Sequence, residues 1–214
     1  MNIIKIDQKT KIEPIIKEVS EKVKKGAVIC YPTDTVYGLG ANVYDKNSVG
    51  KIYRLKKREK THPFTIIIGS VLELKEIISE MPETACILIE KFWPGALTII
   101  FKSSKKLKKN LPGKRETVGI RLPNNKICGL LTKYCGFPII STSANLSGKK
   151  APKSIEEIPQ VIKSDCDIVI DAGEIHLSGE STIIDVSSYI PKIRRDGIIP
   201  IEEIQKYVNI SKEI

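Results

Sequence analysis

Arginine is scarce in this sequence, although basic residues are abundant. The 35 lysines and arginines outnumber the 25 acidic residues, yet the arginines are only Arg54, Arg58, Arg115, Arg121, Arg194 and Arg195. Lysine often serves as a solvated surface charge, whereas the planar guanidinium of arginine suits carboxylates and phosphates. Each arginine is therefore a stronger site candidate than any one lysine, and the net charge of +10 favours polyanionic partners.

Long apolar runs are also absent. No stretch approaches the roughly 20 residues of a membrane span, and the start of the chain has no signal-peptide apolar region. The five cysteines are odd in number, widely spaced and without a Cys-x-x-Cys pair, which argues against a disulfide framework and a zinc site. We therefore expect a cytoplasmic globular protein with no membrane partner and with reduced thiols.

Residues required by several kinds of site are missing too. Two histidines and no carboxylate cluster argue against a catalytic triad and a protein-built metal cage. No Gly-x-x-x-x-Gly-Lys-[Ser/Thr] phosphate loop occurs. Aromatic residues make up 6% of the chain, and no RNP-like aromatic strand is present, which weakens recognition of single-stranded RNA.

The hydrophobic periodicity predicts strands alternating with helices. Strands are predicted over 2–7, 27–31, 64–69, 96–101, 117–123, 137–141, 167–170, 182–186 and 192–195, and helices over 11–25, from 45, and over 71–79, 84–92, 126–135 and 201–208. Some strands are joined too closely for crossover helices, so we predict one α/β domain with a mixed sheet. The basic segment Lys102–Arg115 is predicted to be a loop, either a solvated charged loop or one that attracts a polyanion.

The stretch Tyr31–Gly40 is the first candidate for a binding site. Hydroxyls, a carboxylate and two glycines follow a run of β-formers, which is typical of a strand that opens into a ligand loop. A plain connection between a strand and a helix is the alternative. Because other polar segments also follow strands, we expect the site at the carboxyl ends of the strands. Cations combined with many hydroxyls fit a nucleoside triphosphate.

Six motifs, taken in order, resemble those of the YrdC-like family. They are Tyr31–Gly40, Lys56-x-Arg58, Phe92–Thr98, Val118–Pro123, Ser143–Gly148 and Glu180–Asp185. The resemblance implies an α/β YrdC-like fold, a twisted mixed parallel/antiparallel sheet flanked by helices with a concave basic face. It implies a single domain over 1–214, with the motifs in 27–197 and no additional C-terminal domain.

The same resemblance implies an enzyme. The activity would be that of an L-threonylcarbamoyladenylate synthase, a nucleotidyltransferase that makes threonylcarbamoyl-AMP and pyrophosphate from L-threonine, bicarbonate or CO2, and ATP. The product would lead to N6-threonylcarbamoyladenosine at position 37 of tRNA. The implied partners are a downstream threonylcarbamoyl transferase and tRNA, contacted through the basic surface.

Carried over position by position, the resemblance assigns Thr35, Arg121 and Ser181 to threonine. The ATP side and the carbamate would be served by Lys56, Arg58, His62, Thr117, Ser141, Ser143, Asn145 and Arg195. Within this set, Lys56 and Arg58 would be the catalytic cations. Mg²⁺ would be bound through the phosphates, with no metal site built by the protein.

The chain departs from the family pattern at several positions. Glu59 follows Lys-x-Arg where proline is common, and His62-Pro63-Phe64 replaces Asn-Pro-Leu. Ile67 stands where some members have histidine, and Arg194-Arg195-Asp196-Gly197 stands where Arg-Pro-Gly is common. Two alternatives therefore stay open. One is a YciO-like protein, although such relatives lack parts of the Lys-x-Arg and Ser-x-Asn signatures kept here. The other is a non-catalytic nucleotide- or RNA-binding protein of the same fold.

Overall fold

A computed structural model describes residues 2–59, 64–110, 116–177 and 179–210. The strands are β1 (Asn2–Lys5), β2 (Ile29–Pro32), β3 (Tyr37–Asn42), β4 (Thr65–Ile67), β5 (Leu97–Lys102), β6 (Thr117–Arg121), β7 (Ile139–Ser143), β8 (Ile168–Asp171), β9 (Thr182–Asp185) and β10 (Lys192–Arg195). The helices are α1 (Ile12–Lys24), α2 (Lys46–Leu55), α3 (Leu74–Ile77), α4 (Glu83–Phe92), α5 (Lys105–Asn110), α6 (Lys126–Cys135), α7 (Gln160–Asp165) and α8 (Ile201–Gln205).

The ten strands form one sheet in the order β1-β8-β2-β3-β7-β4-β6-β5-β9-β10. The pairs β1–β8, β2–β8, β4–β6 and β5–β9 are parallel, and the other neighbours are antiparallel. The predicted mixed sheet flanked by helices is therefore confirmed.

Several helices begin and end where local sequence signals place them. The side chain of Asp45 accepts hydrogen bonds from the backbone nitrogens of Asn47 (3.1 Å) and Ser48 (3.3 Å), which caps α2. Asn125 caps α6 in the same way. Gly26 follows α1 with φ of +96°, a conformation that favours glycine.

The two faces of the sheet are covered differently. On one face, apolar side chains of α2, α3, α4, α7 and α8 pack in a core that runs across most of the sheet. On the other face, α1 and α6 pack over β2, β7 and β8. Over β4, β5, β6 and β9, this second face carries the cavity described below.

The prediction that Pro32–Gly40 forms a loop is wrong in part. Residues 33–36 form a turn, but Gly38 and Gly40 lie in β3, which pairs with β2 on one side and β7 on the other. A Cβ atom on Gly40 would lie 2.7 Å from Cε1 of the buried Tyr31 ring. This glycine therefore serves packing between neighbouring strands.

Two helices were not predicted. Helix α5 lies inside the basic segment predicted as a loop, where the Ser104 hydroxyl accepts from the nitrogen of Leu107 (3.2 Å) and Leu107 is buried. Residues 111–115 of that segment lie outside the described residues. Helix α7 follows Pro159 and buries Ile162. In the described ranges, no helix combines the length and the apolar character needed to cross a membrane.

Candidate active site

A cavity of about 560 Å³ lies against the second face of the sheet. Its floor follows from the alternation of side chains along the strands. In β5, Leu97 and Ile99 enter the core, whereas Thr98 and Ile100 line the cavity. Neighbouring strands repeat this pattern and contribute Thr65, Ile67, Gly119, Arg121, Ser141, Ser143 and Ile183. The expectation that the site lies at the carboxyl ends of the strands is therefore wrong in part. The face of the sheet forms the floor, while Thr33, Thr35 and Val36 line the cavity from the carboxyl end of β2.

Arg121 is the most constrained cation of the cavity. Its side chain is 7% exposed, and Nη2 lies 2.6 Å from Oδ1 of Asp34. Nε donates to the carbonyl of Gly95 (2.8 Å), and Nη1 donates to Oγ1 of Thr35 (2.8 Å). The anionic partner that a buried guanidinium requires is thus Asp34.

The turn between β2 and β3 presents hydroxyls beside this arginine. The hydroxyl of Thr33 accepts from the nitrogens of Thr35 (3.1 Å) and Val36 (3.2 Å), which fixes the turn. The hydroxyls of Thr33 and Thr35 are 3.2 Å apart, and both residues line the cavity. Thr35 is therefore held in contact with Arg121 by the local sequence.

A second polar cluster surrounds Ser181, immediately before β9. Its hydroxyl lies 2.8 Å from that of Thr98 and accepts from Nη2 of Arg195 (3.1 Å). Arg195 also donates from Nε to the carbonyl of Ser181 (3.0 Å) and pairs with Glu180 (3.0 Å). This arginine therefore lies in the cavity wall and fixes Ser181 at the start of β9.

Arg58 follows α2 and also lines the cavity. Its Cζ atom is 5.3 Å from the ring centroid of Phe64, a cation–π arrangement. The Phe64 ring in turn packs 4.2 Å from the ring of Tyr53. The departure from the family pattern at position 64 thus supplies an aromatic support for Arg58.

Ser141 and Ser143 project from β7 into the same cavity. The Tyr31 hydroxyl donates to Oγ of Ser141 (2.9 Å), and the Ser143 hydroxyl donates to Oδ1 of Asn145 (2.7 Å). Burial raises the pKa of Tyr31 well above its usual value, so this phenol stays a donor. Both serines are therefore held by neighbouring side chains.

Lys56 is not among the described residues that line the cavity, but it contacts the backbone of Ser143, which does line it. It is 1% exposed, and its ammonium donates to the carbonyl of Ser143, the carbonyl of Asn145 (2.8 Å) and Oδ1 of Asn145 (2.8 Å). These three acceptors match its three N–H groups. Burial lowers the pKa of Lys56 to about 7, the charge of Arg58 adds to this shift, and Glu180 opposes it.

The structure brings most of the predicted site residues together. The cavity is lined by Thr35, Arg58, Arg121, Ser141, Ser143, Ser181 and Arg195. Lys56 and Asn145 are not among the described lining residues, and the ammonium of Lys56 donates to Oδ1 of Asn145. Thr117 begins β6 and is not among the described cavity-lining residues. His62 lies outside the described residues.

Three side chains of the site were not singled out from the sequence. Asp34 pairs with Arg121, Thr98 contacts Ser181, and Glu180 pairs with Arg195. A signal for Asp34 existed, since an arginine in an apolar strand requires an anion and Asp34 stands immediately before the candidate Thr35. A hydroxyl in the apolar strand β5 was the corresponding signal for Thr98.

The donor set of the cavity is made of guanidinium groups, hydroxyls and one carboxylate, Glu180. Within the described part of the chain, no group of three His, Cys, Asp or Glu side chains could hold a metal ion. Guanidinium groups and hydroxyls suit a phosphorylated or carboxylate-bearing ligand.

Comparison with known families identifies the fold. The Sua5/YciO/YrdC family model, whose description reads "Telomere recombination", matches residues 21–197. The chain belongs to the Sua5/YciO/YrdC family. The membership expected from the six motifs is therefore confirmed.

Relatives within the Sua5/YciO/YrdC family extend this result. Threonylcarbamoyl-AMP synthase of Pyrococcus abyssi is 37% identical over 186 residues, which is 87% of this chain and 55% of that protein. The crystal structure of P. abyssi Sua5 complexed with L-threonine superposes with a TM-score of 0.91 at 34% identity, covering 99% of this chain and 63% of that one. The chain thus spans less than two thirds of these relatives.

YciO of Escherichia coli has the same fold. Its crystal structure superposes with a TM-score of 0.85 at 31% identity and covers 95% of this chain and 100% of that chain. The curated protein carries the name "Uncharacterized protein YciO". The fold is therefore shared by family members with and without a named activity.

Proposed function

We propose that this protein is an L-threonylcarbamoyladenylate synthase. The observation that carries the proposal is one cavity that combines the fixed guanidinium of Arg121 and several hydroxyls with three further arginines, Arg58, Arg194 and Arg195. Its volume of about 560 Å³ lies in the range of small-molecule sites, roughly 300–1,000 Å³. The likeness to threonine-bound Sua5 and to a named synthase supports the same conclusion.

Threonine would bind at the end of the cavity formed by Arg121. Three of the five N–H groups of its guanidinium contact the protein, which leaves one N–H on each terminal nitrogen for a carboxylate. The hydroxyl of Thr35 contacts Arg121 at this end of the cavity. The hydroxyls of Thr98 and Ser181 contact each other in the cavity wall. They are suited to the polar groups of an amino acid.

ATP would lie along Arg58, Ser141 and Ser143. Arginine and serine side chains both donate charge-assisted hydrogen bonds to the anionic oxygens of phosphates. Arg195 would contribute a further cation from the opposite wall. Mg²⁺ would arrive with the phosphates and neutralise part of their charge.

The reaction would consist of two bond-forming steps. The amine of threonine attacks the carbon of CO2 and loses a proton, which forms a carbamate. A carbamate oxygen then attacks the α-phosphorus of ATP, and the bond to the leaving pyrophosphate breaks. The protein contributes by holding the reactants in line and by stabilising negative charge with Arg58.

Lys56 would support this geometry through its contacts with Ser143 and Asn145. Its ammonium holds the carbonyl of Ser143 and two oxygens of Asn145, so the segment after β7 keeps its shape. We therefore assign Lys56 the role of keeping Ser143 in place beside the nucleotide. Asn145 shares this role because its amide nitrogen donates to the carbonyl of Lys149.

The product would serve tRNA modification. An acyl adenylate is reactive towards amines, so a downstream threonylcarbamoyl transferase would have to consume it. The net charge of +10 would favour contact with tRNA. These partners form part of the proposal.

The test is pyrophosphate release by the purified chain with ATP, Mg²⁺, bicarbonate and L-threonine, with each component omitted in turn. We expect release only when all four are present, together with threonylcarbamoyl-AMP detected by mass spectrometry. Arg58→Ala should abolish release, while Lys17→Met on the exposed side of α1 serves as the matched loss of one cation.

Two results would contradict the proposal. A folded protein that releases no pyrophosphate would favour a YciO-like role. Salt-sensitive binding of tRNA without ATP turnover would favour a non-catalytic RNA-binding protein.

A further inference from the structure

Asp34 is committed to the protein at both carboxylate oxygens. Oδ1 accepts from Nη2 of Arg121 (2.6 Å), and Oδ2 accepts from the backbone nitrogen of Asn124 (3.1 Å). Its side chain is 8% exposed. Each oxygen keeps a second lone pair, but Asp34 is not among the described residues that line the cavity, so its carboxylate serves Arg121 and Asn124.

The partner of Asp34 is Arg121, which lines the cavity. Without Asp34, Arg121 would retain contacts at Nε and Nη1 only, and a guanidinium that is 7% exposed would lose its counter-charge. A buried charge without a partner is strongly unfavourable, so the guanidinium would turn towards solvent or be displaced. The three contacts together fix the plane of the guanidinium.

We infer that Asp34 is the positioning residue that sets Arg121 for the carboxylate of an amino-acid substrate. This inference rests on the proposed function and deepens it, because it names the group that gives the site its selectivity for a carboxylate. The backbone contact from Asn124 links the turn before β3 to the chain after β6. Asp34 therefore ties the two walls of the threonine end together.

Asparagine at position 34 tests this role with little change in size. An amide offers one oxygen and one NH2 group, whereas Arg121 and Asn124 both donate to Asp34. One of these two donors must then face the NH2 group. Asp34→Asn therefore disrupts the arrangement without creating a cavity.

The measurement is calorimetric titration of the full chain with L-threonine and with L-threoninol, which has a hydroxymethyl group in place of the carboxylate. We expect Asp34→Asn to raise the Kd for threonine by about tenfold or more, the range expected for a lost hydrogen bond to a charged group. The Kd for threoninol should change by less than about twofold, because threoninol lacks the group that Arg121 binds. A merely structural defect would weaken both ligands equally, and that result would overturn the inference.

Asp167→Asn is the matched control. Asp167 also accepts from one backbone nitrogen, that of Val28 (2.7 Å), and from one cation, Lys51 (2.9 Å), but Lys51, unlike Arg121, is not among the described residues that line the cavity. This variant should bind threonine like the parent protein. If Asp34→Asn fails to fold, Asp34→Glu replaces it, because glutamate keeps the charge but displaces the carboxylate. The Kd for threoninol divided by the Kd for threonine should then be lower than in the parent protein, as expected for Asp34→Asn.

The titration separates this inference from the proposed function. A parent protein that binds threonine but releases no pyrophosphate contradicts the synthase activity, and the inference is then decided by the Kd ratio alone. Equal threonine affinity in the parent protein and Asp34→Asn overturns the inference even if synthesis proceeds. A parent protein that does not bind threonine overturns both.

Discussion

Lys56 illustrates how a buried charged side chain can shape a site whose surface it does not line. It is among the largest fully buried side chains, and its N–H groups are directed at the oxygens of Ser143 and Asn145. Its burial opposes the charged form, while its three acceptors favour it. The stability of the fold should therefore depend on pH through this residue.

The free energy of unfolding should report the pKa of Lys56, which burial lowers from 10.5 to about 7. Between these two pH values the unfolded chain binds more protons than the folded chain, so stability due to this group rises with pH. In Lys56→Met this contribution is absent. Denaturant titrations from pH 6 to 9 measure the free energy of unfolding of both proteins. Above pH 7, this free energy should rise with pH more steeply in the parent protein than in Lys56→Met, by at most about 1.4 kcal/mol per pH unit.

Lys17→Met controls for the loss of one lysine, since Lys17 lies on the exposed side of α1. Curves for the parent protein and Lys56→Met that stay parallel over the whole range would contradict this prediction. The same variant should also release less pyrophosphate, because Ser143 loses its support.

At the scale of elements, the packing of β3 depends on the absence of a side chain at position 40. The strand is paired on both sides, and its backbone lies next to the large ring of Tyr31. Gly40 permits this close approach because it carries no Cβ. The packing of the hairpin that carries Thr33 and Thr35 in its turn therefore requires glycine at position 40.

Gly40→Ala should lower the free energy of unfolding by about 1–3 kcal/mol, the usual cost of forcing an extra group into a packed core. Its Cβ would lie 2.7 Å from the Tyr31 ring and 3.3 Å from side-chain carbons of Ile29 and Ile139. Chemical denaturation measures the change. The threonine site should weaken along with the fold, because the same strand follows the turn that holds Thr35.

Gly129→Ala is the opposite case within α6. Apart from the two chain neighbours and the backbone of the helix itself, no atom of the described residues lies within 4 Å of the Cβ that this substitution would add. Replacing a helical glycine by alanine at such a position should stabilise the protein by about 0.5–1 kcal/mol. Equal changes in the free energy of unfolding for Gly40→Ala and Gly129→Ala would contradict both predictions, because backbone entropy alone would then explain the two substitutions.

Helix ends were the most predictable part of the fold. Asp45 and Gly26 act on backbone groups within a few residues, so the sequence alone contains the relevant information. The assignment of Gly38 and Gly40 to a loop failed because β3 pairs with β7, about a hundred residues further along the chain. Local patterns contain no information about such pairing.

The candidate site was predictable by residue type and motif, but its placement was not. Arg121 was singled out because a guanidinium among apolar residues needs an anion, and the structure supplies Asp34. Lys56 gave no comparable signal of burial, since nothing near it in sequence shows that Ser143 and Asn145 surround its ammonium. The position of the cavity on a sheet face depends on which half the helices cover.

At the scale of the whole molecule, charge rather than shape should control how ligands arrive. The chain carries a net charge of +10, and arginines line the cavity. A positive field attracts ATP and has much less effect on zwitterionic threonine. Salt shortens the reach of this field, to about 10 Å at 0.1 M and about 3 Å at 1 M.

Raising the salt concentration should therefore raise the KM for ATP. Between about 0.05 and 0.5 M KCl we expect an increase of several-fold, while the KM for threonine stays within about twofold. Pyrophosphate release at saturating levels of the other substrate gives both values in one series. A parallel rise in both KM values would point instead to a general weakening of the enzyme.

The walls of the cavity come from distant parts of the chain. Thr33 lies near one end of the sequence and Arg195 near the other, and β9 joins the sheet only by pairing with β5 and β10. A ribosome adding roughly 5–20 residues per second would deliver Arg195 on the order of 10 s after Thr33. We therefore expect no binding of threonine during that interval, because Arg195 fixes Ser181, one of the residues proposed to bind it. Capture of labelled threonine by stalled nascent chains would thus mark the moment at which folding is complete.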